Sequence, residues 1–108
     1  YVAISALRYV INQAVLVANA YTVLSTDVSA YGNKILKVVN TVPTTITLPN
    51  PNALLPAAVV GDSLNIRQGG MGGITITGSI TGVNTTSVQH TTLTLIAESP
   101  TSWMSVGC

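Results

Sequence analysis

From Tyr21 onward, aliphatic and polar side chains alternate in short runs: Thr45-Ile46-Thr47-Leu48, Ser63-Leu64-Asn65-Ile66-Arg67, Ile74-Thr75-Ile76-Thr77 and Leu93-Thr94-Leu95. A period of two places alternate residues on opposite faces of a pleated strand, so each run reads as a half-buried strand with its aliphatic side inward. Lys34 to Val39 reads as a more apolar strand, and Trp103-Met104-Ser105-Val106 as a closing one. The phase of these runs predicts a core of Leu36, Val38, Ile46, Leu48, Leu64, Ile66, Ile74, Ile76, Leu93, Leu95, Met104 and Val106. Turn chemistry separates the runs. Ser25, Thr26 and Asp27 suit the cap of a short helical turn stopping at Gly32, and Pro49-Asn50-Pro51 ends a strand because proline cannot donate to a ladder. Gly69-Gly70-Met71-Gly72-Gly73 reads as a flexible hairpin tip, and Glu98-Ser99-Pro100-Thr101 as the turn of a last hairpin. With about six or seven short strands so punctuated, the expectation is a mainly β protein with a small antiparallel sandwich or barrel. No tandem repeat and no disordered linker stands out.

The first twenty residues follow another pattern. Residues 3–20 lack Gly and Pro, and Ser5, Arg8, Tyr9 and Asn12 fall on one helical face. Ile4, Leu7, Ile11, Ala14 and Ala18 are spaced alternately three and four apart, the seam of a short coiled coil. The chain therefore divides into an N-terminal α-helix over 1–20, for oligomerisation or anchoring, and a β domain over 21–108. A membrane span is disfavoured because Arg8, Asn12 and Gln13 would lie within it. Under three heptads, the helix cannot hold a coiled coil unaided, so the β domain must help.

Composition sharpens the picture. Of 108 residues only 6% are charged, against about 25% in an ordinary soluble domain. Hydrophobic residues make up 47%, and Thr, Ser and Asn do the polar work. Such a chain either buries much of its surface against other subunits or wears a neutral, hydroxyl-rich coat, as a component of an assembly does. Arg8, Lys34, Lys37 and Arg67 form no run and Phe is absent, so the basic, aromatic footprint of a nucleic-acid binder is missing. The lone Cys108 excludes an intrachain disulfide. The titratable groups are few and scattered: His90 reads as a surface residue, Asp62 as a turn cap, and Asp27 and Glu98 lie far apart in sequence. They propose no triad, carboxylate pair, metal site or cofactor site, and the expectation is no enzyme.

Tyr21-Thr22-Val23-Leu24-Ser25-Thr26-Asp27, followed by Gly32-Asn33-Lys34 and a strand, resembles a β module of bacteriophage tail-fibre and head-fibre or decoration proteins. Thr44-Thr45-Ile46-Thr47-Leu48-Pro49 is similar to the "TVTLP" strand of that module. Gly61-Asp62-Ser63-Leu64-Asn65-Ile66-Arg67-Gln68 with Ile74-Thr75-Ile76, and Leu93-Thr94-Leu95-Ile96 through Trp103 to Gly107, are similar to its later hairpins. The resemblance implies a non-enzymatic virion structural protein, a homotrimer on the capsid or tail surface, with other virion proteins as partners. It carries over no catalytic residue. The alternative is a tail-fibre module that binds a host receptor or glycan. Exposed aromatics with polar neighbours build sugar sites, which makes Trp103 and Tyr31 the candidate contacts.

Overall fold

A computed structural model of the chain describes residues 10–14, 19–30 and 34–106. Within them the alternating runs become ten short strands: β1 (Val10–Ala14), β2 (Ala20–Thr22), β3 (Lys34–Val38), β4 (Thr44–Thr47), β5 (Ser63–Gln68), β6 (Ile74–Thr77), β7 (Ile80–Thr81), β8 (Thr85–Thr86), β9 (Thr92–Ser99) and β10 (Ser102–Val106). Single 3₁₀ turns cover Ser25–Asp27 and Pro51–Ala53. The strands form two mixed sheets, a larger one in the order β1-β3-β5-β9-β10-β7 and a smaller one in the order β2-β4-β6-β8.

The chain changes sheet at almost every step. β1, β3 and β5 run parallel in the larger sheet, and β2, β4 and β6 run parallel in the smaller one. Each successive pair of strands is thus one rung, laid on the rung before it. Val10 pairs with Lys34 and Ile35 with Asn65, so the rungs repeat at 24 and then 30 residues. β9 then runs antiparallel to β5, and β8 antiparallel to β6, which ends the parallel stack on that side. Leu36, Leu64, Ile66, Leu93 and Leu95 from the larger sheet meet Ile46, Leu48, Ile74 and Ile76 from the smaller in one core cluster, giving a sandwich-like unit. Its buried polar residues are paired: Thr86 Oγ1 donates to Gln68 Oε1 at 2.8 Å, and Gln68 Nε2 to the Gly70 carbonyl at 3.2 Å. Among the described residues no buried side-chain nitrogen or oxygen lacks a partner.

Several expectations change. Within the helix expected over 1–20, Val10–Ala14 is instead an edge strand beside β3, and Ala20 opens β2. A short isolated helix is marginal in water, and the β3 edge offers Val10 to Ala14 a backbone ladder; β-branched Val10 and Ile11 suit a strand. Ile11 lies on this strand and stands 58% exposed, and the described residues hold no α-helix that could present a seam. Ile4, Leu7 and Ala18 lie outside the described residues.

The antiparallel sandwich becomes a mixed one because consecutive strands alternate between sheets, so neighbours within a sheet run the same way. The segment 69–73 is accordingly a corner between sheets, not a hairpin tip. It stacks on the corner at 39–43, with Gly69 N–H on the Val38 carbonyl at 2.7 Å and Gly72 N–H on the Asn40 carbonyl at 3.0 Å. The last hairpin does form, between β9 and β10. Its second strand faces the other way from the expectation: Trp103 is inside, while Met104 is half-buried and Val106 exposed. A register shift between Ser102 and Trp103 sets this phase.

Candidate functional site

The three side-chain carboxylates are engaged within the scaffold. Asp27 is buried in its 3₁₀ turn, where Oδ2 accepts from Tyr21 Oη at 2.6 Å and from Leu24 N–H at 3.0 Å. Asp62 Oδ2 accepts from Val59 N–H at 2.9 Å, the turn cap expected of it. Glu98 Oε1 accepts from the Thr81 hydroxyl at 3.1 Å and the Ser102 hydroxyl at 3.3 Å. His90 is exposed in a turn with a positive φ of 72°. No group of three or more His, Cys, Asp or Glu among the described residues could hold a metal ion. No helix among them is long and apolar enough to cross a membrane.

Tyr21 holds its proton unusually firmly. Burial raises its pKa above the ordinary 10, and the hydrogen bond to Asp27 and that residue's negative charge raise it further. The folded protein therefore keeps a proton that the unfolded chain gives up. The stability this contributes is complete below about pH 10 and falls as pH rises above it. Tyr21→Phe is expected to cost about 1 kcal/mol at neutral pH through the lost hydrogen bond, and to flatten the alkaline decline. Melting temperatures followed from about pH 8 to about pH 12 check this; an unchanged alkaline slope in the variant would refute it.

Of the two aromatics proposed as ligand contacts, Trp103 is a core residue at 0% exposure, with Nε1 donating to the Pro49 carbonyl at 2.9 Å. Tyr31 lies outside the described residues. The structure instead brings out two surface features that sequence reasoning missed.

The first is an apolar groove of about 370 Å³ beside the connection from β4 to β5, with Val23, Leu24, Pro49, Ala53, Leu54 and Leu55 in its wall. Ser25 Oγ donates to the Leu55 carbonyl at 2.9 Å and ties its two sides together. Leu24 is 56% and Leu55 89% exposed, and Val59 and Val60 further along the same connection are exposed too.

The second is a pair of cations. Lys37 on β3 stands in register with Arg67 on β5. Their neighbours Leu36, Val38 and Ile66 point into the core, so alternation directs both cations to the outer face, where each is half-buried. Backbones of adjacent strands lie about 4.8 Å apart, and like charges placed opposite each other destabilise a sheet. Arg67 Nη1 donates to Thr92 Oγ1 at 3.3 Å. A side chain at position 69 would come within 2.9 Å of Lys37 Cε, so Gly69 leaves room for the lysine stem. All three side-chain carboxylates of the chain take their hydrogen bonds elsewhere, as described above. The pair has a sequence signal: Thr45-Ile46-Thr47 and Thr75-Ile76-Thr77 are offset by the same 30 residues as Lys37 and Arg67.

The outer face of the smaller sheet is of a different kind. Thr22, Thr47 and Thr77 form one exposed column, and Thr45, Thr75 and Thr85 another. Compared with protein-family models, curated proteins and solved structures, the chain matches none.

Proposed function

We propose that this protein is a non-enzymatic structural component of a bacteriophage particle, a capsid decoration or fibre protein that works as a homotrimer on the particle surface. The observation that carries the reading is the apolar groove edged by the exposed Leu24 and Leu55, with Val59 and Val60 exposed further along the same connection, on a chain with only 6% charged residues. Exposed apolar surface gathered at a groove marks an interaction site, and a neighbouring copy would cover it. The uncharged Thr columns supply the hydroxyl coat of a surface facing solvent. The resemblance of the strand motifs to phage fibre and decoration modules points to the same reading, and so does the engagement of every side-chain carboxylate in hydrogen bonds to turns and strands.

Light scattering on the intact protein is expected to give three times the 11.1 kDa of one chain. The trimer is expected to survive high salt, because apolar burial at about 25 cal/mol per Å² holds it rather than ion pairs. Leu55→Glu combined with Val60→Glu is expected to lower the mass to that of one chain without loss of β structure by circular dichroism. A wild-type monomer, or a trimer that moderate salt dissociates, defeats the proposal.

A second reading, a tail-fibre module for host receptor or glycan binding, is favoured by one observation: the in-register Lys37–Arg67 pair, with hydroxyl and amide groups around it.

A further inference from the structure

We infer that Lys37 and Arg67 form a binding site for a single anionic group carried by a polysaccharide, a carboxylate or a sulfate ester held between the two cations. This rests on the glycan-binding reading and names the class of sugar.

The inference starts from an unfavourable arrangement. Two of the chain's four basic residues stand directly opposite each other on parallel strands, a placement of like charges that costs a sheet stability where the charged ends lie close. Half-burial reduces the screening that water gives an exposed pair. Among the described residues the side-chain carboxylates are held by other partners: Asp27 by Tyr21 and Leu24, Asp62 by Val59, and Glu98 by Thr81 and Ser102. Glu98 and Thr92 both lie on β9, at its opposite ends, so the carboxylate on this strand is remote from the cations. An oxyanion from outside would relieve the repulsion and accept from both donors.

The geometry suits one anionic group. Adjacent strands lie roughly 4.8 Å apart, and Arg67 bonds to Thr92 on β9 while Lys37 stands on β3, at the other side of β5; in the proposed site the anionic group lies between the two heads, with one oxygen toward each. Arg67 is steadied by Thr92, and the Lys37 stem lies along Gly69. Around them are groups that hydrogen-bond sugar hydroxyls: the exposed Gln89, whose Nε2 donates to the Gly69 carbonyl at 3.1 Å, and the half-buried Thr94 on the same face, whose hydroxyl donates to Asn65 Oδ1 at 2.7 Å and has lone pairs left to accept. Two cations are too few for the many phosphates of a nucleic acid, whereas one acidic sugar residue needs no more.

The test is titration calorimetry of the intact protein at low ionic strength with oligogalacturonate, which carries carboxylates, and with sulfated dextran oligomers, which carry sulfate esters. Maltoheptaose is the uncharged probe. At least one acidic oligomer is expected to bind, and the stronger one identifies the group. Lys37→Gln and Arg67→Gln are each expected to weaken binding about tenfold, the loss of one charge-assisted hydrogen bond. Lys34→Gln is expected to leave binding unchanged, because Lys34 Nζ donates to the Thr26 carbonyl at 2.9 Å at the other end of β3. Without ligand, Lys37→Gln is expected to keep or raise the melting temperature, since it removes a repulsion.

Equal losses in Lys34→Gln and Lys37→Gln would show diffuse attraction and overturn the site. A fall in melting temperature would mean the pair is kept for stability, with the same consequence. Maltoheptaose binding that survives both substitutions, with no preference for acidic oligomers, removes the anionic site and leaves the glycan reading standing. No binding of any probe removes both.

Discussion

Gly72→Ala is expected to cost about 3 kcal/mol or more, the largest loss for a one-carbon change in this chain. A Cβ at position 72 would run into the backbone carbonyl of Val42, and one at position 70 into that of Asn40. Neither obstacle is the movable end of a side chain; both belong to the corner on which 69–73 is laid. To admit the methyl the two corners must part. They then strain the bonds from Gly69 and Gly70 N–H to the Val38 carbonyl, from Gly72 N–H to Asn40 and from Thr44 N–H to Gly73. Each is worth about 0.5–1.5 kcal/mol net. Against a total of roughly 5–15 kcal/mol for a domain of this kind, their joint loss leaves a marginal fold.

Two other glycines calibrate the effect. Gly61 has a φ of +99° and open space on the side where a Cβ would stand, so Gly61→Ala meets only backbone strain, about 1–2 kcal/mol. At Gly69 the obstruction is the Lys37 stem, which can swing away, so Gly69→Ala costs less than Gly72→Ala. Urea midpoints of the three variants give the ranking. If Gly72→Ala melts with the wild type, the stacked corners are wrong.

That corner also shows how far the sequence could be read. Thr45-Ile46-Thr47 and Ile74-Thr75-Ile76 gave their strands and inward positions, because a period of two survives any strand arrangement. Leu36, Val38, Leu64, Ile66, Leu93 and Leu95 are buried as their alternation required. Pairing direction is not in that period. A five-residue, Gly-rich link reads as a hairpin tip, and the same residues serve as a corner when the next strand joins the other sheet. The unequal steps of 24 and 30 residues hid the rungs, since no single offset aligns all three. With them went the Lys37–Arg67 pair, whose members meet only through the register of β3 on β5. Around Val10 to Ala14 helical and strand patterns compete over a few residues, and the open edge of β3 decides in favour of the strand. In β10 both phases offered apolar candidates, Trp103 against Met104 and Val106. The irregularity at Ser102 and Trp103 settles it, and nothing local in the sequence encodes that shift.

Trp103 carries the other large expected effect. Trp103→Ala should destabilise the fold by about 3–5 kcal/mol, because the ring is fully buried and its removal leaves a cavity where the two sheets meet. The indole belongs to the larger sheet, yet Nε1 donates to Pro49, which directly follows the last core residue of the β4 run, Leu48. One side chain thus fills the core and bonds the larger sheet to the segment that leaves β4. Trp103→Phe separates the two roles. It keeps most of the volume and leaves the Pro49 carbonyl without its donor, a loss of about 1–3 kcal/mol. Trp103 is the only tryptophan, so its fluorescence follows unfolding in the wild type, and circular dichroism serves the variants. The measurement also separates two functions for the residue. A surface platform for sugar predicts a Trp103→Ala variant that is stable but no longer binds. A buried tie predicts a variant that unfolds at lower urea, and a Trp103→Phe variant that is weakened yet keeps whatever ligand the Lys37–Arg67 face takes. Wild-type stability in Trp103→Ala would return the indole to the surface and reopen the register of β10.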